Sequence, residues 1–185
     1  MSEAVSALGN ASFEGFATVR ELGPMGMITL RAKHDLPVLA KALQKVLKAD
    51  LPERRRIVSA GEVRVGWMSP DELLILLPYA EVTARVAALS KALGSAHALV
   101  TDVSDARCLF AIEGERAAEV LMKLSPTDLA ALEPGELRRT RLAQVAAAFW
   151  AEEGGFRLVA FRSVAAYVMG LLAHSAQPGS ELFPA

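Results

Sequence analysis

The two halves of this chain run through the same order of apolar patterns. In the first, residues 25–30 are apolar, with β-branched Ile28 and Thr29 after the turn signal Gly23-Pro24, which predicts a short strand. Leu36, Leu39, Leu43, Val46 and Leu47 then fall on one face at helical spacing while Lys41, Lys45 and Lys48 take the other. Asp35 is the expected N-cap, Pro37 suits the first helical turn, and the helix should end before Pro52. Residues 62–67 alternate polar with apolar, residues 73–77 are apolar, and the Ser69-Pro70-Asp71-Glu72 segment between them has turn composition. That is a β-hairpin. Val82, Val86, Leu89 and Leu93 mark an amphipathic helix over 81–93, stopped by Gly94, and residues 99–103 read as a further strand.

The second half repeats strand, helix, hairpin, helix: residues 108–112, 115–124, 140–150 with 156–161 about the Glu152-Glu153-Gly154-Gly155 turn, and 163–173. The simplest architecture with this order is an α+β fold of two ferredoxin-like split β-α-β lobes in tandem, antiparallel sheets with helices packed on one face. The expected division is an N-terminal arm over 1–22, a first lobe over 23–101 and a second over 102–185, forming one compact unit. Within the arm only Phe13 and Phe16 stand out, as an apolar hook.

Charge and cysteine content narrow the function classes. Lys and Arg number 20 against 21 Asp and Glu, a net charge of −1, which excludes nucleic-acid binding by bulk attraction. Hydrophobic residues at 52% and charged residues at 22% exclude a disordered chain. One cysteine, Cys108, can form neither an intramolecular disulfide nor a thiolate zinc cluster, and fits a reducing compartment. The start Met1-Ser2-Glu3-Ala4-Val5 does not read as a secretory signal, so a cytoplasmic location is expected. The longest nearly unbroken apolar stretch, 164–173, falls short of the roughly 20 residues that cross a bilayer.

A search for chemistry finds little. His34, His97 and His174 sit on different elements with no second ligand at metal spacing. No Gly-rich loop leads from a strand into a helix with phosphate-binding spacing, and no Gly-x-Ser-x-Gly elbow is present. Asp102 and Asp105 bracket Val103-Ser104 beside Arg107; an acid–base role can be drawn for them, but a turn held by Asx hydrogen bonds suits the same residues. Cys108, on a strand, reads as a buried inert thiol. The run Glu53-Arg54-Arg55-Arg56 reads as a solvated connector.

The remaining concentration is basic: Arg138, Arg139 and Arg141 around Thr140, then Arg157 and Arg162. If the hairpin forms, Arg139 and Arg141 share one strand face, apart from Arg138 and Thr140. Guanidinium tolerates desolvation better than other charges, so Arg107, Arg139, Arg141 and Arg162 are the candidate contacts to a partner or an anionic ligand, against the plain alternative of a solvated surface.

Several motifs in series carry a family resemblance. Asp102-Val103-Ser104, Phe110-Ala111-Ile112-Glu113-Gly114, Ala117-Ala118-Glu119-Val120-Leu121, Ser125-Pro126-Thr127-Asp128-Leu129 and Pro134-Gly135 resemble the folate-binding aminomethyltransferase superfamily. Within it, Trp67-Met68-Ser69-Pro70-Asp71-Glu72, residues 102–107, Arg139-Thr140-Arg141-Leu142-Ala143-Gln144 and Phe161-Arg162-Ser163 are more similar to the gamma-subunit family of heterotetrameric sarcosine oxidase, over about residues 23–176. The resemblance implies a non-catalytic subunit of a complex that oxidatively demethylates sarcosine to glycine or passes the one-carbon unit to tetrahydrofolate. Its partners would be catalytic alpha and beta subunits and a small delta subunit. It also implies no cofactor in this chain, with flavins, NAD, folate and zinc in the partners.

Catalytic members of the superfamily carry an acidic pair on the hairpin after Pro-Gly. Here the comparable stretch is Ala146-Ala147-Ala148-Phe149-Trp150, with no acid until Glu152. The Lys-Gly-Cys-Tyr-type motif of the iron–sulfur-repair relatives is missing too, since Cys108 lies elsewhere. The expectation is a kept fold with lost chemistry, docking through the arginine-bearing hairpin and the N-terminal arm. The alternative is a stand-alone module binding a folate derivative, with Arg107 or Arg162 pairing its glutamate tail.

Overall fold

The computed structural model describes residues 4–183. In chain order its elements are β1 (Ser12–Glu14), β2 (Thr18–Leu22), β3 (Gly26–Ala32), α1 (Pro37–Leu47), β4 (Ile57–Ala60), β5 (Val63–Ser69), β6 (Glu72–Leu77), α2 (Val82–Leu93) and β7 (Ala98–Asp102). There follow β8 (Arg107–Glu113), α3 (Ala117–Met122), β9 (Leu137–Leu142), β10 (Val145–Glu152), β11 (Gly155–Phe161) and α4 (Ala165–Ser175). The chain is α+β, divided into two compact units: residues 25–105, and residues 1–24 with 106–185.

Residues 25–105 build an antiparallel five-stranded sheet in the order β4-β5-β6-β3-β7. Period-2 alternation turns Ile28 and Leu30 of β3 and Leu73, Ile75 and Leu77 of β6 toward Leu39, Leu43 and Leu47 of α1 and Leu89 of α2, forming one apolar core. The N-cap of α1 is Leu36 rather than Asp35. A residue before proline is pushed out of the helical region, and Leu36, at φ −67 and ψ 117, sits extended for that reason. Pro37, the first helical residue, has no N–H to leave unsatisfied there and a φ already suited to the helix. The helix closes at Lys48, in the left-handed region, before Pro52 as expected. The hairpin about Ser69–Glu72 forms as read, with a bulge between Trp67 and Ser69. The strand β4, after the arginine connector, was not anticipated.

The described residues of 4–24 and 106–183 build the six-stranded sheet, in the order β1-β2-β8-β11-β10-β9, with every pair antiparallel. Val19, Phe110, Ile112, Phe149 and Leu158 face Val120 and Leu121 of α3 and Val168 and Leu172 of α4. Phe149 and Phe156 meet edge to face at 6.4 Å. The β10–β11 turn depends on glycine: Gly155 has φ +155, and a Cβ there would lie 2.1 Å from the Ile112 carbonyl oxygen.

Two expectations change here. The stretch read as a loose arm instead supplies β1 and β2, and β2 pairs with β8 from Thr18↔Glu113 to Leu22↔Leu109; residues 1–3 of that arm lie outside the described residues. Phe13 and Phe16 do pack on the core as anchors. Residues 140–150, read as one strand, are divided between β9 and β10 by a tight turn at Ala143-Gln144, Ala143 having φ 50. Among the described residues no helix is long and apolar enough to cross a membrane.

Candidate functional site

The four candidate arginines lie toward one end of the six-stranded sheet, in two pairs. Cys108, Ala160, Ala147 and Thr140 form one row across β8, β11, β10 and β9 on the helix-covered face. One residue further along, Arg107 is opposite Phe161 and Ala146 opposite Arg141, so these side chains share the other face. Three strand spacings separate the Arg107 and Arg141 main chains by about 14 Å. Arg139 and Arg141 are both exposed on β9, the edge strand, and Thr140 and Arg138 turn to the opposite face.

Phe161 sits between the pairs. It is 49% exposed although the three residues before it on the strand are buried. The Arg107 guanidinium lies over its ring at 5.5 Å from the centroid, a cation–π contact. Arg162 turns inward instead, donating from Nη2 to the Val5 and Ser6 carbonyls at 3.1 Å each. The result is a surface of two outward guanidiniums on an edge strand, a third over an exposed aromatic ring, and a fourth that pins the N-terminal segment. Such a surface can grip a protein partner by planar hydrogen bonding and stacking.

The remaining basic residues serve the fold. Arg138 pairs with Glu136 at 2.8 Å. Arg157 pairs with Glu113 at 3.2 Å and Glu152 at 3.3 Å, and Glu152 also accepts from the Trp150 indole at 2.8 Å. Glu113 is held below its ordinary pKa, chiefly by the hydrogen bond from Arg20. Asp102 Oδ1 accepts from the Ser104 N–H at 2.9 Å and hydroxyl at 2.6 Å, and Ser104 Oγ accepts from the Met27 N–H at 2.9 Å. This is an Asx turn closing β7. Cys108 is buried, its Sγ 3.7 Å from the Ala160 and Phe161 carbonyls, and its pKa is pushed up to about 11 by burial and then by the charge of Glu21. A thiol so placed is inert at neutral pH. His34 packs edge-on against Trp67 at 6.3 Å, and burial lowers its pKa. Among the described residues no three His, Cys, Asp or Glu side chains are grouped to hold a metal ion.

The model of the sarcosine oxidase gamma subunit family matches residues 31–177 of this chain. The chain belongs to that family. A chain of the heterotetrameric sarcosine oxidase from Corynebacterium sp. U-96, solved in complex with pyrrole 2-carboxylate, is 26% identical with a TM-score of 0.79, covering 89% of this chain and 87% of that one. The aminomethyltransferase T of the glycine cleavage system from Bartonella henselae shares the fold at 14% identity and a TM-score of 0.61, covering 85% of this chain and 45% of its own. The regulatory subunit of aspartate kinase from Thermus thermophilus, at 12% identity and a TM-score of 0.50, covers 89% of this chain and 99% of that one. No curated protein sequence gives a significant match.

Two polar clamps in this gamma-subunit family member escaped the sequence reading. Glu21, 3% exposed, accepts from the Ser6 hydroxyl at 3.0 Å and from the N–H groups of Leu8 at 2.9 Å and Asn10 at 3.0 Å. It fastens residues 6–10 to the sheet. Glu119 accepts from Arg116 Nε and from the Leu182 N–H at 2.6 Å each, while Lys123 donates to the Ser175 carbonyl at 2.7 Å and to Ser180 Oγ at 3.0 Å. Lys123 also stands over the Phe16 ring at 4.8 Å. A carboxylate within an alternating strand such as Thr18-Val19-Arg20-Glu21-Leu22 gives no local sign that main-chain donors will converge on it.

Proposed function

We propose that this chain is the non-catalytic gamma subunit of a cytoplasmic heterotetrameric sarcosine oxidase, the complex that oxidatively demethylates sarcosine to glycine. Its partners are the catalytic alpha and beta subunits and a small delta subunit, which hold the flavins, NAD, folate and zinc. The observation that carries this reading is the family match over residues 31–177, joined by the likeness to a chain of a heterotetrameric sarcosine oxidase over 89% of this sequence. The chain's role is assembly and stabilisation, with Arg107, Arg139 and Arg141 contacting a partner subunit and Arg162 holding the N-terminal segment in place. A solitary cysteine held as a buried thiol suits the cytoplasm.

The test is affinity purification of the tagged chain from its own cells, with mass spectrometry and a visible spectrum. Larger flavin-bearing subunits and a yellow eluate are expected. A colourless chain recovered alone would remove the reading. Reversing charge at Arg139 and Arg141 together should then cut the recovered flavin per chain at least about five-fold, since guanidinium anchors are frequent hot spots.

A further inference from the structure

Sheet edges offer unpaired main-chain groups to any passing strand, and proteins blunt them with charge or brevity. Of the four edges here, β1 has 3 residues and β4 has 4, while β9 carries three arginines in its 6. The fourth, β7, reads Ala98-Leu99-Val100-Thr101-Asp102, with no charge before its last residue. Val103 N donates to Met27 O at 2.9 Å, and Leu99 and Thr101 stand opposite Arg31 and Thr29. Antiparallel ladders alternate, so residues 99, 101 and 103 bond inward to β3 while the N–H and C=O groups of Ala98, Val100 and Asp102 point off the sheet.

The same edge borders a cleft of about 430 Å³ lined by Arg31, Lys33, Asp71, His97 and Leu99, with Leu99 55% exposed. Arg31 and Asp71 pair at 3.0 Å, so Lys33 gives this lining an excess of positive charge. Strand addition has this combination of parts: a free ladder for affinity and a side-chain pocket beside it for specificity.

We propose that the edge of β7 receives an extended segment of another subunit of the oxidase, antiparallel or parallel, with an apolar side chain against Leu99 and a carboxylate reaching Lys33. This deepens the subunit reading and rests on it. The cleft's charge selects an acidic segment, and the family's assembly in a heterotetramer favours another subunit over a second copy of this chain.

The experiment co-expresses the full tagged chain with the other oxidase subunits and reads flavin absorbance per chain after affinity purification. Val100→Pro removes one outward N–H without breaking a bond to β3, at one of the few kinds of strand position that tolerate proline. Leu99→Glu and Lys33→Glu, both at exposed positions, are variants that leave the fold's core untouched. Each variant is checked by its thermal melt. A fall of ten-fold or more in recovered flavin for Val100→Pro and for Leu99→Glu, with wild-type melting retained, supports the proposal. Full recovery by folded Leu99→Glu and Lys33→Glu overturns it and leaves the subunit reading standing. Failure of the wild-type chain to recover any partner removes both. A wild-type homodimer that Leu99→Glu dissolves, seen by sedimentation, overturns the choice of occupant.

Discussion

The five-stranded unit is cut from one continuous stretch, residues 25–105, whereas the six-stranded unit joins residues 1–24 to 106–185. They hold their chains by different means. In the continuous unit two helices of 11 and 12 residues lay apolar faces on the sheet. The discontinuous unit fastens its first and last described segments with ions. Glu21 gathers the donors of residues 6–10, and Arg116, Glu119 and Lys123 gather residues 175–183. Hydrogen bonds to charged groups are shorter and stronger than neutral ones, so a few of them can secure a segment that packing alone would leave frayed.

The largest effect should come from the centre of the discontinuous unit. Phe110 is fully buried in β8, opposite Glu21 on one side and Leu158 on the other. Phe110→Ala should cost about 3–5 kcal/mol by transfer and cavity terms. Each unit carries one tryptophan, Trp67 and Trp150, so a Trp67→Phe background leaves Trp150 reporting on the six-stranded unit alone. If Phe110→Ala left the Trp150 unfolding midpoint unmoved, this core would not be what holds that unit together.

Glu21→Ala sharpens the contrast more directly. Removing a buried carboxylate strands the Leu8 N–H and the Ser6 hydroxyl, while the Asn10 N–H keeps Ser6 Oγ at 3.0 Å, at a cost of roughly 1–3 kcal/mol. Residues 6–10 should become the first site of protease cleavage, and Glu21→Gln should recover part of the loss, since an amide oxygen still accepts. Asp71→Ala, which removes an exposed pair with Arg31 in the continuous unit, should leave its melting midpoint within error. Equal effects at Glu21 and Asp71 would dissolve the distinction between the two units.

The same contrast explains what was legible in the sequence. Local signals carried the continuous unit well: Leu39, Leu43 and Leu47 declared the face of α1, and Ser69-Pro70-Asp71-Glu72 declared its hairpin. They failed where pairing is long-range. Thr18 to Leu22 contains one strongly apolar inward residue, Val19, and its strand character comes from pairing with β8 across some ninety positions. Alternation alone placed Arg139 and Arg141 on one face of β9. That Arg107 would lie over Phe161 needed the β8–β11 register, which no local pattern carries.

Cys108 offers the finest test, because it titrates inside the unit that relies on buried ionisable groups. Burial and the Glu21 charge raise its pKa from 9.0 to about 11. Between those values the unfolded chain gives up the thiol proton while the folded chain keeps it, so the unfolded state binds fewer protons and stability falls as pH rises. The contribution is fully present below pH 9 and is lost as pH climbs to about 11. Lysines and tyrosines titrate in the same range, so the informative quantity is the difference between wild type and Cys108→Ala. The substitution leaves a small cavity that shifts stability equally at every pH, whereas the thiol's own term appears only as a slope above pH 9. Urea midpoints followed by Trp150 emission from pH 8 to pH 11 should therefore converge for the two proteins as the wild type loses its advantage. Parallel curves would mean that the thiol is not desolvated in the folded unit, and that Glu21 is screened from it.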